Sequence, residues 1–188
     1  MRLILLGPPG VGKGTQADRL KEYFHIIHLS TGDILRGEVE SESHIGKEAQ
    51  SFMDAGKLVP DEILLKMMEL RLSRADCSPG YLLDGFPRTI PQAEGFDEIL
   101  IHLHHRLNSV ISLMADEDEL VNRLVLRGKN SGRSDDTPEV IKRRQKIYWE
   151  QTAPMLNYYK KRDLVKNVNG IGTIPEITDR IIEALKTS

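Results

Sequence analysis

Only one cysteine, Cys77, occurs in the 188 residues. A single thiol excludes an internal disulfide and a cysteine-built zinc site, and it suits a reducing compartment. Long apolar runs are missing too: residues 3–6 are too short for a secretory core, and no run approaches membrane-spanning length. Neither sign of charge dominates, since the formal net charge is −2, so no overall field attracts DNA, RNA or an anionic membrane. The strings N-K-x-D and D-x-x-G, which a GTPase switch would use to read its base and sense its phosphate, do not occur. There is no internal repeat and no low-complexity segment. What remains is an ordinary globular balance, 39% hydrophobic with 15 glycines, on a chain long enough for one domain with a sizeable core and inserted flaps. The expectation is a soluble, cytoplasmic protein without nucleic-acid or membrane partners.

Against these absences one stretch stands out. Arg2-Leu3-Ile4-Leu5-Leu6 reads as a buried strand, and Gly7-Pro8-Pro9-Gly10-Val11-Gly12-Lys13-Gly14-Thr15 follows it. Thr15 to Phe24 then reads as a helix, with apolar Ala17 and Leu20 and no breaker. Strand, glycine-rich loop and helix form the context in which G-x-x-x-x-G-K-S/T cradles phosphate. The glycines let backbone N–H groups close on an anion, the helix N-terminus adds partial positive charge, and Lys13 supplies a full one. The loop is therefore expected to bind a nucleoside triphosphate. It departs from the pattern at Gly14, where the usual hydroxyl is missing and Thr15 stands one place later.

Further strand-like runs lie at Ile26–Leu29, Tyr81–Leu83, Ser109–Met114 and Leu164–Val168, with helical stretches between them and an amphipathic one at Pro175–Leu185. Alternating strands and helices predict an α/β fold, a five-stranded parallel sheet with helices on both faces. The ligand site of such a sheet lies beyond the carboxyl ends of its strands. Two segments interrupt the alternation. One is a long helical insertion from Thr31 to about Ser73. The other is the polar loop Gly128–Asp136, with Arg127, Arg133, Arg143 and Arg144 in or beside it. Charged loops at the ligand end are candidate lids.

Asp84 ends the third strand, in Asp84-Gly85-Phe86-Pro87-Arg88-Thr89. An aspartate there, beside a phosphate loop, is where Mg²⁺ or its bound water would be held, with Thr15 as the other candidate ligand; a turn or helix cap is the alternative use. Arg88 follows it, and Arg36 follows the second strand in Leu29-Ser30-Thr31-Gly32-Asp33-Ile34-Leu35-Arg36. Together with the lid arginines, these are more cations than one nucleotide requires, and guanidinium suits bidentate phosphate binding. The excess implies a second, phosphorylated substrate. A phosphate acceptor is already nucleophilic at neutral pH, so no dedicated base is needed. The protein has to align two polyanions, screen their repulsion and exclude water.

The segments GPPGVGKGT, LSTGDILR, GKLVPDE, LLDGFPRTIPQAE and RGKNSGRSDDTPE, in this order along the chain, resemble adenylate kinases of the short-lid form from end to end. The resemblance implies a P-loop domain over 1–188 with two insertions, a monophosphate-binding flap at 30–59 and a lid at 126–136. It implies phosphoryl transfer from ATP to AMP giving two ADP, with Mg²⁺ as cofactor and a monomeric enzyme. It assigns Gly10, Val11, Gly12, Lys13, Gly14 and Thr15 to the ATP phosphates, Arg127 to ATP, and the Gly172 backbone to the ATP base. It assigns Thr31, Arg36, Lys57, Leu58, Val59, Gly85, Phe86, Pro87, Arg88 and Gln92 to AMP, and Arg133 and Arg144 to the transferring and acceptor phosphates. The catalytic set is then Lys13, Asp84, Arg88, Arg127, Arg133 and Arg144. No lid cysteine is present, so the structural zinc of long-lid relatives is not expected. Ile174 stands where some relatives have a lysine near the base, which leaves backbone contact only.

Within this family pyrimidine kinases carry LSAGDLLR, so the Thr31 hydroxyl points to AMP. So does the Gln92 amide, which can pair with an adenine edge; the alternative for both is local turn capping. His102-x-His104-His105 is expected to be a solvated helix end, Lys142–Lys146 to splay around a helix, and Met67-Met68 to pack in the core. Two other functions stay open at this point, a UMP/CMP kinase and a nucleotide-binding switch without turnover.

Overall fold

The computed structural model describes residues 1–116, 119–121, 123–124 and 137–186. Arg127, Arg133 and the whole 126–136 segment expected as a lid lie outside the described residues.

Five parallel strands, β1 (Arg2–Leu6), β2 (Ile27–Ser30), β3 (Tyr81–Asp84), β4 (Ser109–Met114) and β5 (Val165–Asn169), form one sheet in the order β2-β3-β1-β4-β5. The near-continuous apolar character of β1 has a plain cause, since both of its faces are covered. Leu3 and Leu5 turn to one side, against Ala17 and Leu20 of α1 (Lys13–Phe24) and Ile177 and Ile181 of the C-terminal helix Ile174–Lys186. Ile4 and Leu6 turn to the other side, against α4 (Asp61–Leu72) and α5 (Ile90–His102) through Met68, Leu72 and Phe96. Each of Ile177 and Ile181 contributes about 1.5–3 kcal/mol by leaving water. Met67 and Met68 are both buried, in the core.

The insertion between β2 and β3 consists of α2 (Thr31–Glu40), α3 (His44–Asp54) and α4. Serine caps start the first two: Ser30 Oγ accepts from Asp33 N, and Ser43 Oγ accepts from Gly46 N. Thr89 caps α5 in the same way, accepting from Gln92 N. Helix α6 (Pro138–Ile147) begins behind a Thr137 cap with proline in its first turn, and continues as one π-helical turn over Tyr148–Thr152. Helix α7 (Met155–Lys160) follows, and the C-terminal helix is α8. The caps at Ser30 and Thr89 begin α2 at once, and α5 a few residues on, beyond the carboxyl ends of β2 and β3. In register, Leu5, Asp84 and Ser30 stand side by side across β1, β3 and β2. That alignment sets Asp84 between the phosphate loop and the first turn of α2.

Candidate active site

A cavity of about 700 Å³ opens at the carboxyl edge of the sheet, a size in the upper half of ligand pockets. Its floor is the loop after β1. Gly12, which caps α1, has φ +97°, a left-handed backbone that favours glycine. Gly10, Val11, Gly12, Lys13, Gly14 and Thr15 all line the cavity. The Lys13 ammonium donates to the carbonyls of Gly7 at 2.8 Å and Pro8 at 3.2 Å, which keeps the charge at the mouth of the loop.

Asp84 projects into the same space. Burial alone would raise its carboxyl, but the His28 imidazole and the charges of Lys13 and Arg88 outweigh this and hold it below the usual carboxylate range. His28 Nε2 lies 3.8 Å from Asp84 Oδ2, beyond hydrogen-bond length, and makes no hydrogen bond although buried, so the influence acts across a gap. A Cβ at Gly14 would meet only Asp84 Oδ2, at 4.0 Å. Glycine therefore leaves the space between loop and carboxylate open.

The opposite wall carries the cations. Arg36, Arg88 and Arg144 line it together with Lys57, Leu58 and Val59, and with Gly85 and Pro87 of the loop after β3. Arg36 pairs with Asp33, one turn away on α2, and Arg88 Nε donates to the Gly85 carbonyl at 2.7 Å. Gly85 has φ +83°, and a Cβ there would stand 2.8 Å from Thr31 Oγ1, so glycine lets the loop and α2 approach each other. Thr31 is buried, and its hydroxyl donates to the Asp84 carbonyl at 3.3 Å, leaving its lone pairs as acceptors. Tyr148 and Thr152 add a wall from the π-helical turn, and burial pushes the Tyr148 phenol up to about 12. At the other end Gly172, Ile174 and Arg123 close the lining.

Two residues assigned to AMP do not reach this surface. Phe86 is fully buried and stacks edge-on against Phe96, ring centroids 5.6 Å apart, because its side chain turns into the core while Gly85 and Pro87 face the cavity. Gln92 is also fully buried. Its amide is committed to Asp61 and to the backbone of Arg88, one layer behind the wall.

Sequence reading missed three contributors. Arg123 lines the cavity and donates to the Gly170 carbonyl at 3.3 Å; its spacing of four from Arg127 was a usable helical signal. Gln145 of α6 donates to the Pro9 carbonyl at 3.0 Å and tethers that helix to the phosphate loop, with no local sequence cue. His28 is the third, recognisable only from strand register.

A phosphate loop facing three arginines across a half-buried carboxylate is the arrangement of a kinase for a phosphorylated acceptor. The family model described as adenylate kinase matches residues 5–164. The chain belongs to the adenylate kinase family. An adenylate kinase of Nocardioides sp. is 50% identical over 185 residues, covering 98% of this chain and 97% of the relative. One from Stenotrophomonas maltophilia is 48% identical over 186 residues, 99% of this chain and all of the relative. One from Leptospira biflexa is 47% identical over 184 residues. The five-stranded parallel sheet is the fold expected of this family, and no helix among the described residues is long and apolar enough to cross a membrane.

Proposed function

We infer that the chain catalyses reversible transfer of the terminal phosphoryl group of ATP to AMP, giving two ADP. Membership of the family supports this activity, and the facing of the phosphate loop and the arginine wall across one cavity carries the residue-level reading. The backbone N–H groups of residues 10–15 and the Lys13 ammonium hold the ATP phosphates. Arg36, Arg88 and Arg144 hold the AMP phosphate, which needs no base because its oxygens are already ionised at neutral pH. One of those oxygens forms the new bond to the terminal phosphorus as the bond to the ADP oxygen breaks. The spreading negative charge stays within reach of Lys13 and the arginines, which act by position and charge.

Mg²⁺ is the metal this reading calls for. The residues present fit it: Asp84 is held ionised, the Gly14 position leaves room, and the exposed Thr15 lines the same space. Mg²⁺ binds through few protein oxygens and keeps several waters, so Asp84 would hold it through water, with Thr15 as a second contact. When bound, it neutralises phosphate charge. The same reading takes 30–59 as the AMP flap and 126–136 as a lid carrying Arg127 and Arg133, and takes Arg123 and Gly172 to the ATP base. It makes the enzyme a cytoplasmic monomer without nucleic-acid or membrane partners.

AMP is favoured over pyrimidine acceptors by Thr31, whose oxygen sits on the acceptor side of the cavity where alanine would leave none. A coupled assay of ATP with AMP, CMP and UMP tests the reading. The kcat/KM for AMP should exceed the others by at least about tenfold, the low end of what an unpaired buried polar group costs. Equal or better use of CMP would assign the enzyme to the pyrimidine kinases.

A further inference from the structure

Behind the arginine wall lies a closed ring of hydrogen bonds centred on Asp61, the first residue of α4. Asp61 Oδ1 accepts from Gln92 Nε2 at 2.7 Å and from Thr89 Oγ1 at 3.2 Å. Gln92 Oε1 accepts from the backbone N–H of Arg88 at 2.8 Å, and Thr89 Oγ1 accepts from the N–H of Gln92 at 3.2 Å. The orientation of the Gln92 amide follows from its partners. A backbone N–H only donates and a carboxylate only accepts, so the amide oxygen faces Arg88 and its nitrogen faces Asp61.

We propose that Asp61 is a positioning residue for the acceptor nucleotide. Through Gln92 it ties the backbone of Arg88 to the first turn of α4, and α4 begins directly after the 57–60 segment. The two stretches of acceptor wall, 57–59 and 85–88, are thereby held at one separation. Arg88 is anchored twice over, its N–H to Gln92 and its guanidinium to the Gly85 carbonyl, so freeing the N–H loosens the whole 85–88 turn. Among the described residues the side-chain bonds of Asp61, Thr89 and Gln92 run to one another and to the Arg88 backbone, away from the phosphate loop, so the effect falls on AMP rather than on ATP. The competing use of Asp61 is as a negative charge at a helix N-terminus. Asparagine separates the two uses, because its carbonyl still accepts from Gln92 and Thr89 but carries no charge.

The inference rests on Arg88 being an acceptor-phosphate ligand. The test is steady-state kinetics of Asp61→Ala, Asp61→Asn, Thr89→Val, Gln92→Ala and the Asp61→Ala/Gln92→Ala double variant, with Arg88→Ala alongside. Asp61→Ala should raise the KM for AMP about tenfold, as expected when a buried donor loses its partner, while the KM for ATP stays within about twofold. Thr89→Val, which removes one of the two donors to Asp61, should raise the AMP KM in the same direction but less. Asp61→Asn should behave like wild type, and the double variant should be no worse than the weaker single one. A rise in both KM values alike, or an Asp61→Asn variant as impaired as Asp61→Ala, would overturn the positioning role. If Arg88→Ala leaves the AMP KM unchanged, the reading of Arg88 fails and takes the inference with it. If Arg88→Ala raises it and neither Asp61→Ala nor Thr89→Val does, the positioning role alone fails.

Discussion

Lys13 rests on two carbonyls of its own loop, and those dipoles are weaker partners for an ammonium than phosphate oxygens. Exchanging them for a triphosphate converts a charge–dipole contact into a charge–charge one, strongest where negative charge develops. Lys13→Met should therefore fold and melt as wild type while losing at least about a hundredfold in turnover. Circular dichroism beside a saturating-substrate assay checks both halves, and near-normal turnover would remove Lys13 from the catalytic set. Its neighbours in the motifs show that a place in a motif does not dictate a role. Phe86 and Arg88 are two residues apart, yet one is core against Phe96 and the other faces the cavity.

Helices α5 and α7 are joined by one polar cluster on the face of the sheet away from α1. The Tyr158 phenol donates to Asp97 Oδ2 at 2.5 Å, and Arg162, just past α7, donates to the same carboxylate at 2.7 Å. The bond to Asp97 is the chief cause that pushes the Tyr158 phenol up to about 12, with burial adding to it. Because the folded value lies above the ordinary value of about 10, the linked stability is fully present below about pH 10 and is lost as the pH rises toward 12. Denaturant unfolding of wild type and Tyr158→Phe across that range checks it. The two stabilities should converge as the pH climbs, and a constant difference would show that the phenol proton does not matter.

The cavity exists only when the ends of several elements meet, and it has to bring two polyanions together. That electrostatic problem calls for mobile as well as fixed positive charge, and the family's general use of nucleotide with metal fits it. With Cys77 as its single cysteine, the chain has no cysteine-built site for a structural zinc. EDTA should abolish turnover while leaving the melting temperature unchanged, and excess Mg²⁺ should restore the rate. Thermal melts with and without chelator decide the point; a fold lost on chelation and regained only with zinc would contradict it.

Contiguous chemistry was legible from the residues. The phosphate loop is strand, turn and helix in one stretch, so glycine spacing and the apolar run before it suffice. The five strands lie within a residue or so of where hydrophobic patterning puts them. The inner strands β1, β3 and β4 are buried on both faces and need near-continuous apolar runs, while the edge strands β2 and β5 carry fewer apolar residues and are only partly buried. The resemblance of five ordered segments then carried the family. Side-chain destinations needed the tertiary structure. The sequence reads Gln92 as an amide for an adenine edge or as a turn cap, yet its partner Asp61 is 31 residues away on another helix. Gln145 meets Pro9 from 136 residues away, and His28 meets Asp84 because β2 and β3 pair in one particular register. Local propensity has no term for such contacts. They are decided by which faces of packed elements are left against each other, and that is known only once the whole sheet and its helices are in place.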